Sequence, residues 1–72
     1  MELTKLPIGR EARVKDLTAS GLKRRRLLDL GLIPGTSIIV RRNSPAGDPR
    51  AYLVRGTLLA LRKEETDLVE VS

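Results

Sequence analysis

The chain has 72 residues, with 14 Lys and Arg against 9 Asp and Glu, a formal charge of +5, and neither Cys nor His. That inventory excludes disulfides and thiolate metal sites, and it removes the commonest metal ligand and the commonest general base. A hydrophobic fraction of 40%, with Tyr52 the only aromatic residue, suffices for one small aliphatic core and is too high for a disordered tail.

Residues 1–10 read as a lead-in. Pro7 holds Leu6 extended, Gly9 allows a turn, and Leu6 and Ile8 are expected to cover one end of the core. From Glu11 to Leu17, apolar Ala12, Val14 and Leu17 alternate with charged Arg13 and Lys15. That period of two marks a half-buried strand. Ser20 to Leu30 is the predicted helix, with Ser20 as N-cap. Leu22, Leu27 and Leu30 are placed on one broad apolar face, with Leu28 to its side. The four cations Lys23, Arg24, Arg25 and Arg26 are consecutive, so they radiate around the helix and cannot form a flat stripe. One of them has to lay its aliphatic stem along the core edge, and Arg25 is spaced to pair with Asp29 at i, i+4.

The stretch Leu28 to Thr36, LDLGLIPGT, joins helix to sheet. Gly31 suits the left-handed position that ends a helix. Pro34-Gly35 suits a type II turn. Leu30, Leu32 and Ile33 are expected to plug the core there. Gly35 to Asn43 is the longest predicted strand, with Ile38 and Val40 inward and Ile39 partly exposed. Ser44 to Pro49, SPAGDP, is a turn cluster. Tyr52 to Arg55 is the next strand, ended by Gly56, where the chain is expected to bend sharply as at a barrel corner. Thr57 to Arg62 follows, then a helical turn over Lys63 to Asp67, then a short closing strand from Leu68 to Val71.

Five short strands with glycines at the corners and one inserted helix predict a mainly β fold. The best fit is a small SH3-like barrel, closed or nearly closed so that no strand edge is exposed, forming one domain over residues 1–72. No apolar run approaches the roughly 20 residues of a membrane span. The N-terminus lacks a signal-peptide pattern, so a cytoplasmic location is expected.

Catalysis has little to work with, since no nucleophile and base are marked as a pair. The glycines match neither phosphate-loop spacing. The carboxylates Glu64, Glu65 and Asp67 are the one local cluster that could hold a hard cation weakly, and no loop pattern for a metal surrounds them. Charge is uneven: residues 1–36 carry eight basic and four acidic groups (+4), and residues 37–72 carry six and five (+1). A basic face invites an acidic partner. For nucleic acid, Lys23 to Arg26 with Arg41, Arg42, Arg50 and Arg55 could neutralise phosphates, but Tyr52 alone is poor provision for base stacking.

The ordered set LLDLGLIPGT, SPAGDP, YLVRGTLLALRKEET and LVEV resembles the FeoA family over about Val14 to Val71. The pattern is carried by Leu30, Gly31, Leu32, Pro34 and Gly35, by Pro45, Gly47, Asp48 and Pro49, and by Gly56, Leu61, Arg62 and Glu65. Thr66 stands where the family often has Ala. The resemblance implies an SH3-like barrel and a non-catalytic role in bacterial ferrous iron uptake. It implies contact with FeoB, the membrane GTPase transporter, on its cytoplasmic side, without insertion into the membrane. Partner contacts are then expected at Lys23, Arg24, Arg25, Arg26, Leu32, Pro34, Pro45 and Asp48. Transition-metal binding is commonly attributed to the family, yet without His or Cys this chain offers no high-affinity site, and no cofactor is expected beyond weak divalent metal binding. The alternatives are a basic SH3-like module that binds nucleic acid, or a part of a DtxR-type metal-dependent regulator, whose C-terminal domain shares this barrel.

Overall fold

The computed structural model describes all residues, 1–72. Five antiparallel strands run in the order β4-β3-β2-β1-β5, with β1 Glu11–Leu17, β2 Ser37–Asn43, β3 Arg50–Val54, β4 Thr57–Leu61 and β5 Val69–Val71. Helix α1, Gly21–Asp29, connects β1 to β2, and the single-turn helix α2, Lys63–Thr66, connects β4 to β5. A 3-10 turn at Leu3–Lys5 precedes β1.

In β1, Ala12, Val14 and Leu17 are buried as expected, but the alternation is interrupted by a bulge between Val14 and Asp16 that leaves Lys15 and Asp16 both exposed. In β2, Ile38 and Val40 are fully buried and Ile39 is half-buried. Tyr52, Val54, Leu61, Val69 and Val71 complete the strand contribution to the core. The lead-in does more than was read from it. Leu3, in the 3-10 turn, is fully buried and Leu6 nearly so, whereas Ile8 is exposed. A half-turn places Leu3 on the core, and Gly9 then carries Ile8 away from it.

Two further expectations need correction. Leu22 is 89% exposed. At 100° per residue it lies about 140° around the helix from buried Leu27, too far to share its stripe. Ile33, in the elbow, is also exposed while its neighbour Leu32 is fully buried.

The helix end follows its glycine. Gly31 has φ +98°, and its N–H donates to Leu28 O at 2.9 Å while that of Leu32 donates to Leu27 O at 3.1 Å. This pair of bonds is a Schellman motif, and buried Leu27 and Leu32 supply its apolar contact. The Ile33–Thr36 turn closes by Thr36 N–H on Ile33 O at 3.0 Å. Ser20 holds the N-cap position, but its side chain makes no capping hydrogen bond.

Gly56 is not a barrel corner. Arg55 and Gly56 both have positive φ, 53° and 80°, and they form the two-residue turn of a β3–β4 hairpin with Val54 opposite Thr57. Nor does the barrel close fully: β4 pairs with β3 alone, so one edge stays open. The hairpin keeps β4 beside β3, and the chain returns through α2 to pair β5 with β1 instead.

Tyr52 is fully buried, with the Arg50 guanidinium 5.4 Å from its ring centroid. The Tyr52 hydroxyl lies beside the Thr66 hydroxyl without forming a well-aligned hydrogen bond. A buried unmet hydroxyl costs about 1–3 kcal/mol, while the ring supplies the packing. Tyr52→Phe should therefore leave the unfolding free energy unchanged or raise it, as read from the urea midpoint. A clear loss would show that the hydroxyl is bonded in solution.

Candidate docking surface

Helix α1 stands off the barrel between β1 and β2, anchored by Leu27 and its Schellman end. Its four cations have four different fates. Lys23 is exposed and free of ion pairs. Arg24 is half-buried and donates to Leu17 O at 3.1 Å, so this is the cation whose stem covers the core edge. Arg25 pairs with Asp29 at 3.3 Å, with both side chains largely exposed. Arg26 reaches across to α2 and binds Glu65 Oε2 at 2.8 Å.

On the outer side, Leu22, Arg25 and Arg26 share a face by i, i+3 and i+4 spacing, with Lys23 beside Arg26. An almost fully exposed leucine thus sits among three cations. Behind it, Lys23, Arg26, Leu27, Glu64, Glu65 and Leu68 line a groove of about 270 Å³ between α1 and α2. Neither the exposure of Leu22 nor the Arg26–Glu65 clamp was anticipated. The first was available from the helical angle; the second joins residues 39 apart, and nothing local announces it.

The remaining expected contacts scatter. Pro34 and Pro45 are exposed on separate loops. Asp48 is exposed, and its Oδ1 accepts the Lys63 N–H at 2.8 Å, which ties the SPAGDP loop to the start of α2. Leu32 is fully buried and cannot meet a partner; it is a core residue. The nucleic-acid alternative also loses ground. Tyr52 offers no stacking face, and Arg50 is spent on Thr4 O and Leu6 O at 2.7 and 2.6 Å.

Glu64, Glu65 and Asp67 do not converge as ligands. Glu65 accepts from Arg26 and, at 3.1 Å, from the Arg62 N–H. Asp67 accepts from the Thr4 hydroxyl at 2.6 Å and Lys63 Nζ at 3.0 Å. These two bonds hold the Asp67 carboxyl below the usual carboxylate range. Thr66, the departure from the family's Ala, is buried and uses its hydroxyl on Thr4, at 2.6 Å.

Burial pushes the Glu65 carboxyl up, but its bonds from Arg26 and Arg62 outweigh burial and hold it below the usual range. A depressed folded-state pKa gives stability that is fully present above the unfolded value and lost as pH falls through the folded one. The Arg62 amide and the Arg26 Nε–H should therefore shift together in NMR spectra as pH falls below the ordinary glutamate range. Glu65→Gln should remove that acid step, and its persistence in the variant would assign it elsewhere.

A family model for the FeoA domain matches residues 1–72. This chain belongs to the FeoA family. It is 31% identical over 71 residues to a Porphyromonas gingivalis protein described as a fusion of Fe(2+) transport protein A and Fe(2+) transporter FeoB. That match takes in 99% of this chain and only 8% of the fusion protein. Among solved structures, iron(II) transport protein A from Clostridium thermocellum superposes with a TM-score of 0.93 at 38% identity, over 99% of this chain and 44% of that one. The Stenotrophomonas maltophilia FeoA, described as a prokaryotic SH3-domain protein and solved with zinc, gives 0.87 at 32% identity, over 100% and 89% of the two chains. The FeoA fold here is thus a mainly β, SH3-like one.

Zinc does not fit the residues of the present FeoA chain. No three His, Cys, Asp or Glu side chains come together as a ligand set, and Glu65 and Asp67 are already engaged by cations and hydroxyls.

Proposed function

We propose that this protein is a non-catalytic accessory factor of bacterial ferrous iron uptake that docks on the cytoplasmic side of a FeoB-type transporter and biases its nucleotide cycle. The observation that carries the docking surface is Leu22, 89% exposed, with Arg25 and Arg26 on its helix face and Lys23 beside Arg26. An apolar anchor inside a cationic rim fits an acidic surface with an apolar socket: the anchor supplies affinity and the rim supplies steering. The relative in which the two proteins form one polypeptide supports FeoB as the partner. No helix is long and apolar enough to cross a membrane, which accords with docking on the transporter.

A module that biases a cycle has to prefer one state of its partner. Calorimetric titration against the FeoB cytoplasmic GTPase domain, with GDP and with a GTP analogue, should give two different affinities. A second arm uses intact transporter in nanodiscs. Equal affinity in both nucleotide states removes the regulatory part of the reading, and absence of binding in both arms removes the docking itself.

A further inference from the structure

The sheet has two edges, and they are treated differently. The β5 edge is covered by the chain start: the Val71 N–H donates to Met1 O at 2.8 Å, the Met1 amino group donates to Val71 O at 2.9 Å, and Glu2 bridges Glu70. The β4 edge is covered by nothing. Its only pairing is with β3, and no backbone or side-chain hydrogen bond reaches it from elsewhere.

The two-residue turn at Arg55 and Gly56 fixes which groups are free. It makes Val54 and Thr57 a hydrogen-bonded pair, and alternation then makes Tyr52–Leu59 and Arg50–Leu61 bonded pairs as well. The N–H and C=O groups of Leu58 and Ala60 therefore point away from β3. The strand Thr57–Leu61, TLLAL, contains no charge, proline or glycine, so it lacks the devices that usually blunt an edge. On the outer face, register aligns Ile39, Leu53 and Leu58 into one apolar row ending at this edge, and Ala51 and Ala60 into a second. Leu58 is 50% exposed.

Charge selects the occupant. Arg55 lies just before β4 and Arg62 just after it, and Arg42 extends the alanine row. All three are exposed and none forms an ion pair. A second copy paired antiparallel about Leu59 would set Arg62 opposite Gly56 and Lys63 opposite Arg55 of its counterpart, bringing cations together at both ends of the strand. We propose that the β4 edge is a strand-addition site for an extended aliphatic segment of a partner protein, flanked by acidic residues. Main-chain bonds to Leu58 and Ala60 hold the segment, the apolar row sorts its side chains, and the arginines read its ends. This site shares no residue with the α1 docking surface, so either can fail without the other.

The test is amide hydrogen exchange by NMR on the full chain, with the peptide Ac-Asp-Val-Thr-Val-Asp-NH2 as probe. Exchange at Leu58 and Ala60 should slow by at least about tenfold at saturation, with no such change for the same peptide flanked by Lys. Ala60→Pro removes an outward donor and should abolish the protection, with unchanged exchange at Tyr52 and Val54 reporting an intact fold. Leu58→Lys, on an already exposed side chain, should weaken it independently. Absence of slowing, equal slowing with the Lys-flanked peptide, or protection that survives both substitutions overturns the proposal. Protection that rises with protein concentration alone also overturns it and assigns the edge to a second copy.

Discussion

Leu32→Ala should lower the unfolding free energy by about 2–5 kcal/mol, the usual cost of emptying a fully buried leucine site. Leu32 has no exposed surface, and its N–H closes the Schellman motif on Leu27 O. The side chain thus locks the end of α1 to the barrel, and a cavity there cannot refill from the surface. A chain of this size carries only about 3–5 kcal/mol from its core, so much of the variant population would be unfolded at room temperature. The neighbouring substitution is the control. Ile33 is 43% exposed, and Ile33→Ala should stay within about 1 kcal/mol. Urea unfolding of the two variants, with unchanged m-values, separates the cases. A similar small loss in both would mean that the elbow is not packed as described.

The contrast between these two residues shows what the sequence could and could not say. Strand faces were legible where the period of two holds, as at Ala12 and Val14; a bulge after Val14 breaks it, so that Leu17, three residues on, is the next to point inward. The helix end was legible because Gly31 has few alternatives that satisfy the last carbonyls. The elbow was not, because three apolar residues in a row around two glycines carry no period. Only the fold decides that Leu32 goes in and Ile33 out. The turn at Gly56 was not legible for a related reason: a two-residue hairpin and a barrel corner both use a glycine between strands, and Arg55, a non-glycine at positive φ, gives no hint of its conformation. The surface was the least legible part. Consecutive cations looked alike in the sequence, yet Arg24 supports the β1 end, Arg26 clamps α2, and only Lys23 and Arg25 stand free of the rest of the barrel.

That division dictates how docking should be perturbed. Replacing Arg24 or Arg26 confounds binding with stability, since each holds another element. Leu22, Lys23 and Arg25 do not: the one ion pair among their side chains is the Arg25–Asp29 surface pair, which contributes little at such exposure. The double reversal Lys23→Glu with Arg25→Glu should leave folding within about 0.5 kcal/mol and slow association with the FeoB GTPase domain. Its salt dependence should weaken or invert, because rim charges act on encounter. Leu22→Asp should instead raise the dissociation rate, since an apolar anchor acts after contact. Together the three substitutions should weaken binding by about 100-fold, or about 2.8 kcal/mol. Surface plasmon resonance at two salt concentrations reads both rates. If the reversal changes the off-rate alone, the cations are buried contacts and not a steering rim. If Leu22→Asp changes neither rate, the anchor lies outside the interface, and the α1 face is no longer the docking surface.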